Sequence, residues 1–125
     1  MARILVAEDD DSMRSFLSGA LRRAGHTVEP AADGFEAITL LARQEFDLLL
    51  ADVVMPGMDG VELARRAARD QPALKVMFIT GFAAVALRGR SGMPGDPKIL
   101  SKPFHLKDLV AQIDQLLGAR PLAGA

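Results

Sequence analysis

Short apolar runs alternate along this chain with longer segments in which apolar residues recur every three or four positions. Continuously apolar strands are typical of a parallel sheet covered on both faces, and the longer spacing is typical of the helices that cover it. The pattern predicts strands at residues 3–7, 27–31, 47–51, 75–79 and 98–101, and helices at 12–24, 35–44, 60–70, 83–88 and 105–117.

The strict alternation of five strands with five helices predicts an α/β protein, a doubly wound (βα)5 sandwich of the flavodoxin-like type. Residues 81–97 depart from the pattern because they are rich in glycine and proline, so we expect only a short helix near 83–88 followed by a mobile connection. Small residues and Pro121 predict a flexible tail over 119–125. Residues 1–118 are therefore predicted to form one domain.

Composition and charge narrow the range of functions. The chain carries 15 basic and 16 acidic residues without a basic block, so nothing indicates nucleic acid or an anionic membrane as a partner. There is no cysteine, which excludes disulfides, thiol catalysis and Cys-ligated zinc. Glu8 comes too early for a signal peptide, and no apolar run approaches the ~18 residues of a membrane span. We expect a cytoplasmic protein, monomeric or weakly dimeric.

Polar residues follow four of the predicted strands at their carboxyl ends, where the crevice of an open parallel sheet lies. Glu8 and Asp9 follow the first strand, Asp52 the third, Thr80 the fourth and Lys102 the fifth. If the strand order is 2-1-3-4-5, these side chains meet in one shallow pocket. Neighbouring carboxylates repel each other unless a cation lies among them, and Mg²⁺ is the natural candidate for such an oxygen-rich site.

This set of residues suggests phosphoryl transfer. Asp52 stands alone at the tip of the central strand, where a carboxylate can attack a metal-bound phosphodonor and become an acyl phosphate. Lys102 and Thr80 can bind the transferred oxygens through an ammonium and a hydroxyl. Taken singly, each is an ordinary turn residue or solvated charge, and Asp11 is expected to cap the first helix. The hypothesis therefore depends on the combination.

Other potential ligands carry no site. His26 and His105 have no plausible partner in the sequence and are interpreted as surface or turn residues. Met55 and Met58 have no cysteine or histidine beside them, so they are predicted to be packing residues rather than a soft-metal site.

Four motifs resemble, in order and spacing, the receiver domain of two-component response regulators. They are residues 4–10, the loop 52–60, the pair Thr80-Gly81 and the triplet Lys102-Pro103-Phe104. The similarity covers about residues 3–118. It implies a signalling protein that accepts a phosphoryl group on Asp52, assisted by Thr80 and Lys102, and not a turnover enzyme.

The resemblance also implies a magnesium site and particular backbone features. Asp9 and Asp52 would coordinate Mg²⁺ with the backbone carbonyl of Val54, and Glu8 would help through water. The bond before Pro103 would be cis, which aims Lys102 into the pocket. Gly60 would permit a turn or a close approach before the third helix, and a small Gly81 would leave the approach of phosphate open.

One position departs from the family pattern. Ile99 stands where the family often places a switching tyrosine or phenylalanine. An aliphatic side chain cannot act as an aromatic switch, so we expect signalling by ordering of residues 81–97. Because no output domain follows the last helix, we expect the output to be contact with another protein. The candidate contact residues are Phe82, Val85, Leu87, Ile99 and Phe104.

Residues 80–87 and 100–106 are most similar to the CpdR group of single-domain regulators of alphaproteobacteria. That resemblance implies phosphorylation by a histidine phosphotransferase or sensor kinase. It further implies that the unphosphorylated form engages ClpX, directing ClpXP proteolysis in the cell cycle and recruitment to the cell pole.

Several alternatives stay open. A generic stand-alone receiver or a phosphate shuttle would use the same pocket with another partner, and a degenerate receiver would act only as a scaffold. A haloacid-dehalogenase-like phosphatase requires a second carboxylate two residues after the nucleophile. This chain has Val54 at that position, which argues against turnover catalysis. A flavodoxin-like cofactor binder wants a phosphate-binding loop after the first strand, where the acidic residues from Glu8 onward would repel phosphate.

Overall fold

The structure is a computed structural model that describes residues 1–81 and 98–118. Five parallel strands form one sheet in the order β2-β1-β3-β4-β5, namely β1 (Arg3–Ala7), β2 (Thr27–Ala31), β3 (Leu48–Asp52), β4 (Lys75–Thr80) and β5 (Lys98–Ser101). The helices of the described residues are α1 (Asp11–Arg23), α2 (Gly34–Arg43), α3 (Gly60–Asp70) and α4 (Leu106–Leu116). The predicted fold class and strand order are confirmed. The helix predicted near 83–88 and the tail predicted at 119–125 lie outside the described residues.

The two faces of the sheet bury two separate layers of side chains because successive strand residues point to opposite sides. Leu5, Leu49 and Phe78 pack on the side of α2 and α3. Leu50 and Met77 pack on the opposite side, against α1 and α4. Strand β3 is buried along its whole length. Because it is the central strand of the sheet, its last residue, Asp52, lies at the centre of the carboxyl edge.

Aspartates begin three of the helices. Asp10, Asp33 and Asp59 have extended backbones, and their carboxylates accept hydrogen bonds from amides in the first turns of α1, α2 and α3. The N-cap of the first helix is therefore Asp10 and not Asp11 as predicted, although Asp11 does complement the helix dipole as expected. The chain becomes helical one residue earlier than predicted, so Asp11 lies inside the first turn, where its charge complements the helix dipole and its carboxylate pairs with Arg14.

His26 is also placed differently from the sequence-based expectation. Its side chain is only 8% exposed, its Nδ1 accepts a hydrogen bond from the Ala2 amide at 3.1 Å, and its Nε2 lies 3.5 Å from Asp114 Oδ1. His26 does lie in the turn before β2, but the prediction that it has no partner is wrong because this turn packs against α4, which is distant in sequence. His105 is exposed, as expected.

Two further sequence-based interpretations are tested by burial and helix length. Met55 and Met58 are almost completely buried in the layer on the side of α2 and α3, which confirms their packing role. Among residues 1–81 and 98–118, no helix is both long enough and apolar enough to cross a lipid bilayer.

Candidate functional site

Three carboxylates meet at the carboxyl edge of the sheet. Oxygens of Glu8, Asp9 and Asp52 all lie within 4.8 Å of one another. The Lys102 ammonium lies 2.9 Å from Asp52 Oδ2 and 3.4 Å from Glu8 Oε1. Thr80 is fully buried at the end of β4, beside these groups in the sheet order. The structure thus brings the acidic cluster and the lysine into direct contact, with Thr80 on the adjoining strand.

Asp52 is held by the turn that follows it. Its Oδ1 accepts a hydrogen bond from the Val54 amide at 3.1 Å, and its Oδ2 accepts from Lys102. The side chain is buried, yet both oxygens face polar partners rather than the apolar core. A carboxylate fixed in this way keeps a defined orientation toward the edge of the sheet.

Gly60 allows the first turn of α3 to approach the end of β3. Its amide donates to the Val53 carbonyl at 2.9 Å, and a Cβ at this position would lie 2.3 Å from the Asp52 carbonyl oxygen. No side chain fits there without moving the backbone, so the close approach predicted for Gly60 is confirmed. At Gly81, by contrast, a Cβ would meet no atom of the described residues within 4 Å, in agreement with an open approach.

Gly57 is a structural requirement that the sequence analysis missed. Its φ is +83°, a left-handed conformation that favours glycine, and an added Cβ would lie 2.8 Å from a ring carbon of Phe35. The Pro56-Gly57 pair, a common turn signal, would have indicated this turn.

Lys102 is aimed into the site by its backbone. The Lys102–Pro103 bond is cis, which confirms the prediction, and the Lys102 amide donates to the Thr80 carbonyl at 2.9 Å. Burial lowers the pKa of the Lys102 ammonium, but the hydrogen bonds and charges of Asp52 and Glu8 outweigh it, so the pKa is raised overall. The lysine is a permanent cation at this edge.

Glu8 is the electrostatically unusual carboxyl of the cluster. Burial is the largest cause that raises its pKa to about 7, and the charge of Asp52 adds to the increase. The Asp10 amide, which donates to Glu8 Oε2 at 3.1 Å, and the Lys102 charge act in the opposite direction. A cation bound among these carboxylates would favour the ionised form.

The raised pKa of Glu8 predicts a pH-dependent stability. The folded protein holds a proton on Glu8 up to about pH 7, whereas an ordinary glutamate loses it near 4.5. The stabilisation is therefore complete below pH 4.5 and disappears as pH rises through 7. Between pH 4.5 and 8, the free energy of unfolding of metal-free wild type should fall by on the order of 1–3 kcal/mol more than that of a Glu8→Gln variant. Urea unfolding in EDTA measures this, and parallel pH curves for the two proteins would contradict it.

The donor set fits a hard divalent cation. Three carboxylates converge, Asp9 is exposed to solvent, and the Val54 backbone lies in the turn that holds Asp52. Hard cations such as Mg²⁺ favour oxygen ligands of this kind and keep several waters. These carboxylates would hold such an ion, which would supply positive charge at this edge of the sheet.

The candidate contact residues are only partly placed by the structure. Ile99 is half-buried and packs toward the α2 and α3 side, whereas Phe104 is half-buried on the α1 and α4 side. Phe82, Val85 and Leu87 lie outside the described residues. Ile99 and Phe104 are thus on opposite faces of the sheet and do not form one patch together.

Arg14 is a neighbour of the acidic cluster that the sequence analysis missed. One guanidinium nitrogen, Nη1, donates to the Glu8 carbonyl at 2.9 Å, and the other terminal nitrogen, Nη2, donates to Asp11. An arginine one turn into the helix that follows an acidic run is a sequence signal that would have suggested such a contact.

Comparisons with known proteins agree with this geometry. Residues 4–114 match the family model of the response regulator receiver domain. Over 117 residues the chain is 57% identical to the response regulator receiver protein CpdR of Brucella abortus, covering 94% of this chain and 98% of that protein. It is 38% identical to the sensor kinase CckA of the same organism, covering 93% of this chain but 12% of the kinase.

A solved structure has the same fold. The response regulator TrrA of Thermotoga maritima, in complex with Mg²⁺ and BeF, superposes with a TM-score of 0.83 at 27% identity, covering 93% of this chain and 99% of TrrA. With a family model that spans most of the sequence and a relative matched almost end to end, the chain belongs to the response regulator receiver domain family and is similar over nearly its whole length to CpdR.

Proposed function

We propose that this chain is a single-domain response regulator of a two-component phosphorelay and that Asp52 is its phosphoacceptor. The observation that carries the proposal is the buried Asp52 carboxylate, held between Lys102 and the Val54 amide within a cluster of three carboxylates. A purely structural aspartate at a strand end does not need two further acidic groups beside it.

The transfer itself follows from the positions of these groups. A carboxylate oxygen of Asp52 forms the new bond to phosphorus, and the donor leaves with the electrons of the bond that breaks. The Lys102 ammonium, which donates to Asp52 in this structure, can shift to a phosphoryl oxygen because its aliphatic stem is flexible. Thr80, at the end of the adjoining strand, is proposed to bind another phosphoryl oxygen.

Asp9, Asp52 and the backbone carbonyl of Val54 are proposed to hold Mg²⁺, with Glu8 contributing through water. The bound ion would neutralise charge on the phosphoryl oxygens during transfer. The clustering of the three carboxylates and the Mg²⁺–BeF complex of TrrA support this assignment.

The proposed partners follow from the most similar relatives. A histidine phosphotransferase or a sensor kinase would donate the phosphoryl group, and the similarity to CpdR and CckA supports such a relay. We propose ClpX of the ClpXP protease as the output partner of the unphosphorylated form, with recruitment to the cell pole. A stand-alone receiver or phosphate shuttle with another partner is the second candidate. The half-buried aliphatic Ile99 favours it, because transfer alone needs no aromatic switch.

Intact-protein mass spectrometry tests the phosphoacceptor proposal. Acetyl phosphate with Mg²⁺ should add one phosphoryl group, and EDTA should prevent the addition. Beryllofluoride with Mg²⁺ should shift the backbone amide resonances of the 52–60 loop, which detects binding even when the acyl phosphate is short-lived. The absence of both the mass increase and the beryllofluoride shift would contradict the proposal.

Retention on immobilised ClpX tests the output. Unmodified protein should be retained, and protein saturated with beryllofluoride and Mg²⁺ should be retained less, because the two forms present different surfaces. The beryllofluoride-treated Asp52→Asn variant is the matched control and should be retained like the unmodified protein. Equal retention of both wild-type forms would point to the shuttle or to another partner.

A further inference from the structure

The Arg14 side chain connects α1 to the acidic end of β1. It is 20% exposed, and its forked guanidinium bonds the Glu8 backbone carbonyl and the Asp11 carboxylate at the same time. An arginine on the surface of a helix usually keeps its head group in water. Here the head group replaces a strand partner, because β1 ends at Ala7 and the Glu8 carbonyl lies just beyond the strand.

The bond from Arg14 fixes the peptide that joins Glu8 to Asp9. The Glu8 amide is already bound to the Ala31 carbonyl at 3.0 Å, so the guanidinium holds the other side of the same residue. Asp9 itself is exposed, and the peptide on its other side is held by the Asp10 amide, which donates to Glu8 Oε2 at 3.1 Å. The direction in which its carboxylate leaves the strand end therefore depends on the two peptides that flank it, and Arg14 holds the first of them.

We propose that Arg14 is a positioning residue for the magnesium site and holds Asp9 and Glu8 in the geometry that binds the ion. This inference rests on the magnesium site of the proposed function. Groups that orient metal ligands typically change metal affinity 10–100-fold when they are removed. The fork is required because a lysine is a point charge and cannot hold the carbonyl and the carboxylate in one fixed geometry.

Charge alone predicts the opposite effect, which makes the inference testable. A guanidinium close to a cation site repels the cation, so removing it should tighten Mg²⁺ binding if Arg14 acts only through its charge. A positioning role predicts weaker binding despite the loss of the positive charge. The sign of the change therefore separates the two explanations.

The experiment is a Mg²⁺ titration monitored through the amide NMR shifts, because the chain has no tryptophan or tyrosine for fluorescence. Arg14→Met should raise the Kd for Mg²⁺ about 10-fold. Arg14→Lys should also raise it, although the charge is kept. Arg22→Met is the matched control. Arg22 lies on the same helix and donates to the Val28 carbonyl of β2 at 3.0 Å, but at the end of α1 that is far from the site. Its Kd should equal that of wild type.

Unfolding by urea separates positioning from a general loss of structure. A merely structural arginine would lower the free energy of unfolding in Arg14→Met and leave the Kd of the folded protein unchanged, and that result would overturn the inference. A tighter Kd would overturn it as well. If Arg14→Met does not fold, Arg14→Lys decides: a wild-type Kd refutes the inference. If wild type itself binds no Mg²⁺, both the proposed function and the inference about Arg14 fail.

Discussion

Asp52→Asn should take up no phosphoryl group from acetyl phosphate under conditions that modify wild type. An amide is not a nucleophile toward phosphorus, and no other carboxylate lies at the tip of β3. The substitution preserves shape, and the amide oxygen can still accept the hydrogen bond from Val54. The loss should therefore be complete without unfolding, as measured by intact mass and by urea denaturation.

Asp59→Asn is the matched control for this prediction. Asp59 lies in the same loop and caps α3 by accepting from the Glu62 amide at 2.9 Å. Asparagine caps helices about as well as aspartate, so this variant should fold and be modified like wild type. A mass increase of one phosphoryl group on Asp52→Asn would move the acceptor elsewhere in the cluster, with Asp9 the first residue to examine.

Gly60→Ala should lower the free energy of unfolding by about 3 kcal/mol, at the upper end of the usual cost of overpacking. The added methyl would lie 2.3 Å from the Asp52 carbonyl oxygen, a backbone atom that no rotamer change can move. Either α3 or the end of β3 must shift. Because Asp52 ends β3, the same variant should also bind Mg²⁺ more weakly, which amide NMR titration measures.

Gly81→Ala provides the comparison for Gly60. Gly81 follows β4 at the same edge, but a Cβ there would meet no described atom within 4 Å. Its free energy of unfolding should stay within about 0.5 kcal/mol of wild type, as for an ordinary surface substitution. Equal stability of the two variants would mean that the contact between α3 and β3 relaxes without cost.

The amino-acid pattern was sufficient to predict the architecture and to predict that Glu8, Asp9, Asp52 and Lys102 lie at one edge of the sheet. Continuous apolar runs are typical of parallel strands covered on both faces, and their alternation with helical segments predicts a doubly wound sheet. Parallel strands present their carboxyl ends at one edge, so with the strand order 2-1-3-4-5 the sequence predicts that Asp52 and Lys102 lie close together across 50 residues.

The way in which the groups at that edge are held and charged depends on tertiary packing and could not be read from the sequence. The capping of α1 by Asp10, the burial of His26 and the contacts of Arg14 depend on which segments pack together, and local residue preferences do not contain that information. The pKa of Glu8 is the clearest case, because a glutamate after a strand is normally solvated. Burial and the charge of Asp52 raise the pKa against the opposing charge of Lys102, and burial is a property of the packed molecule.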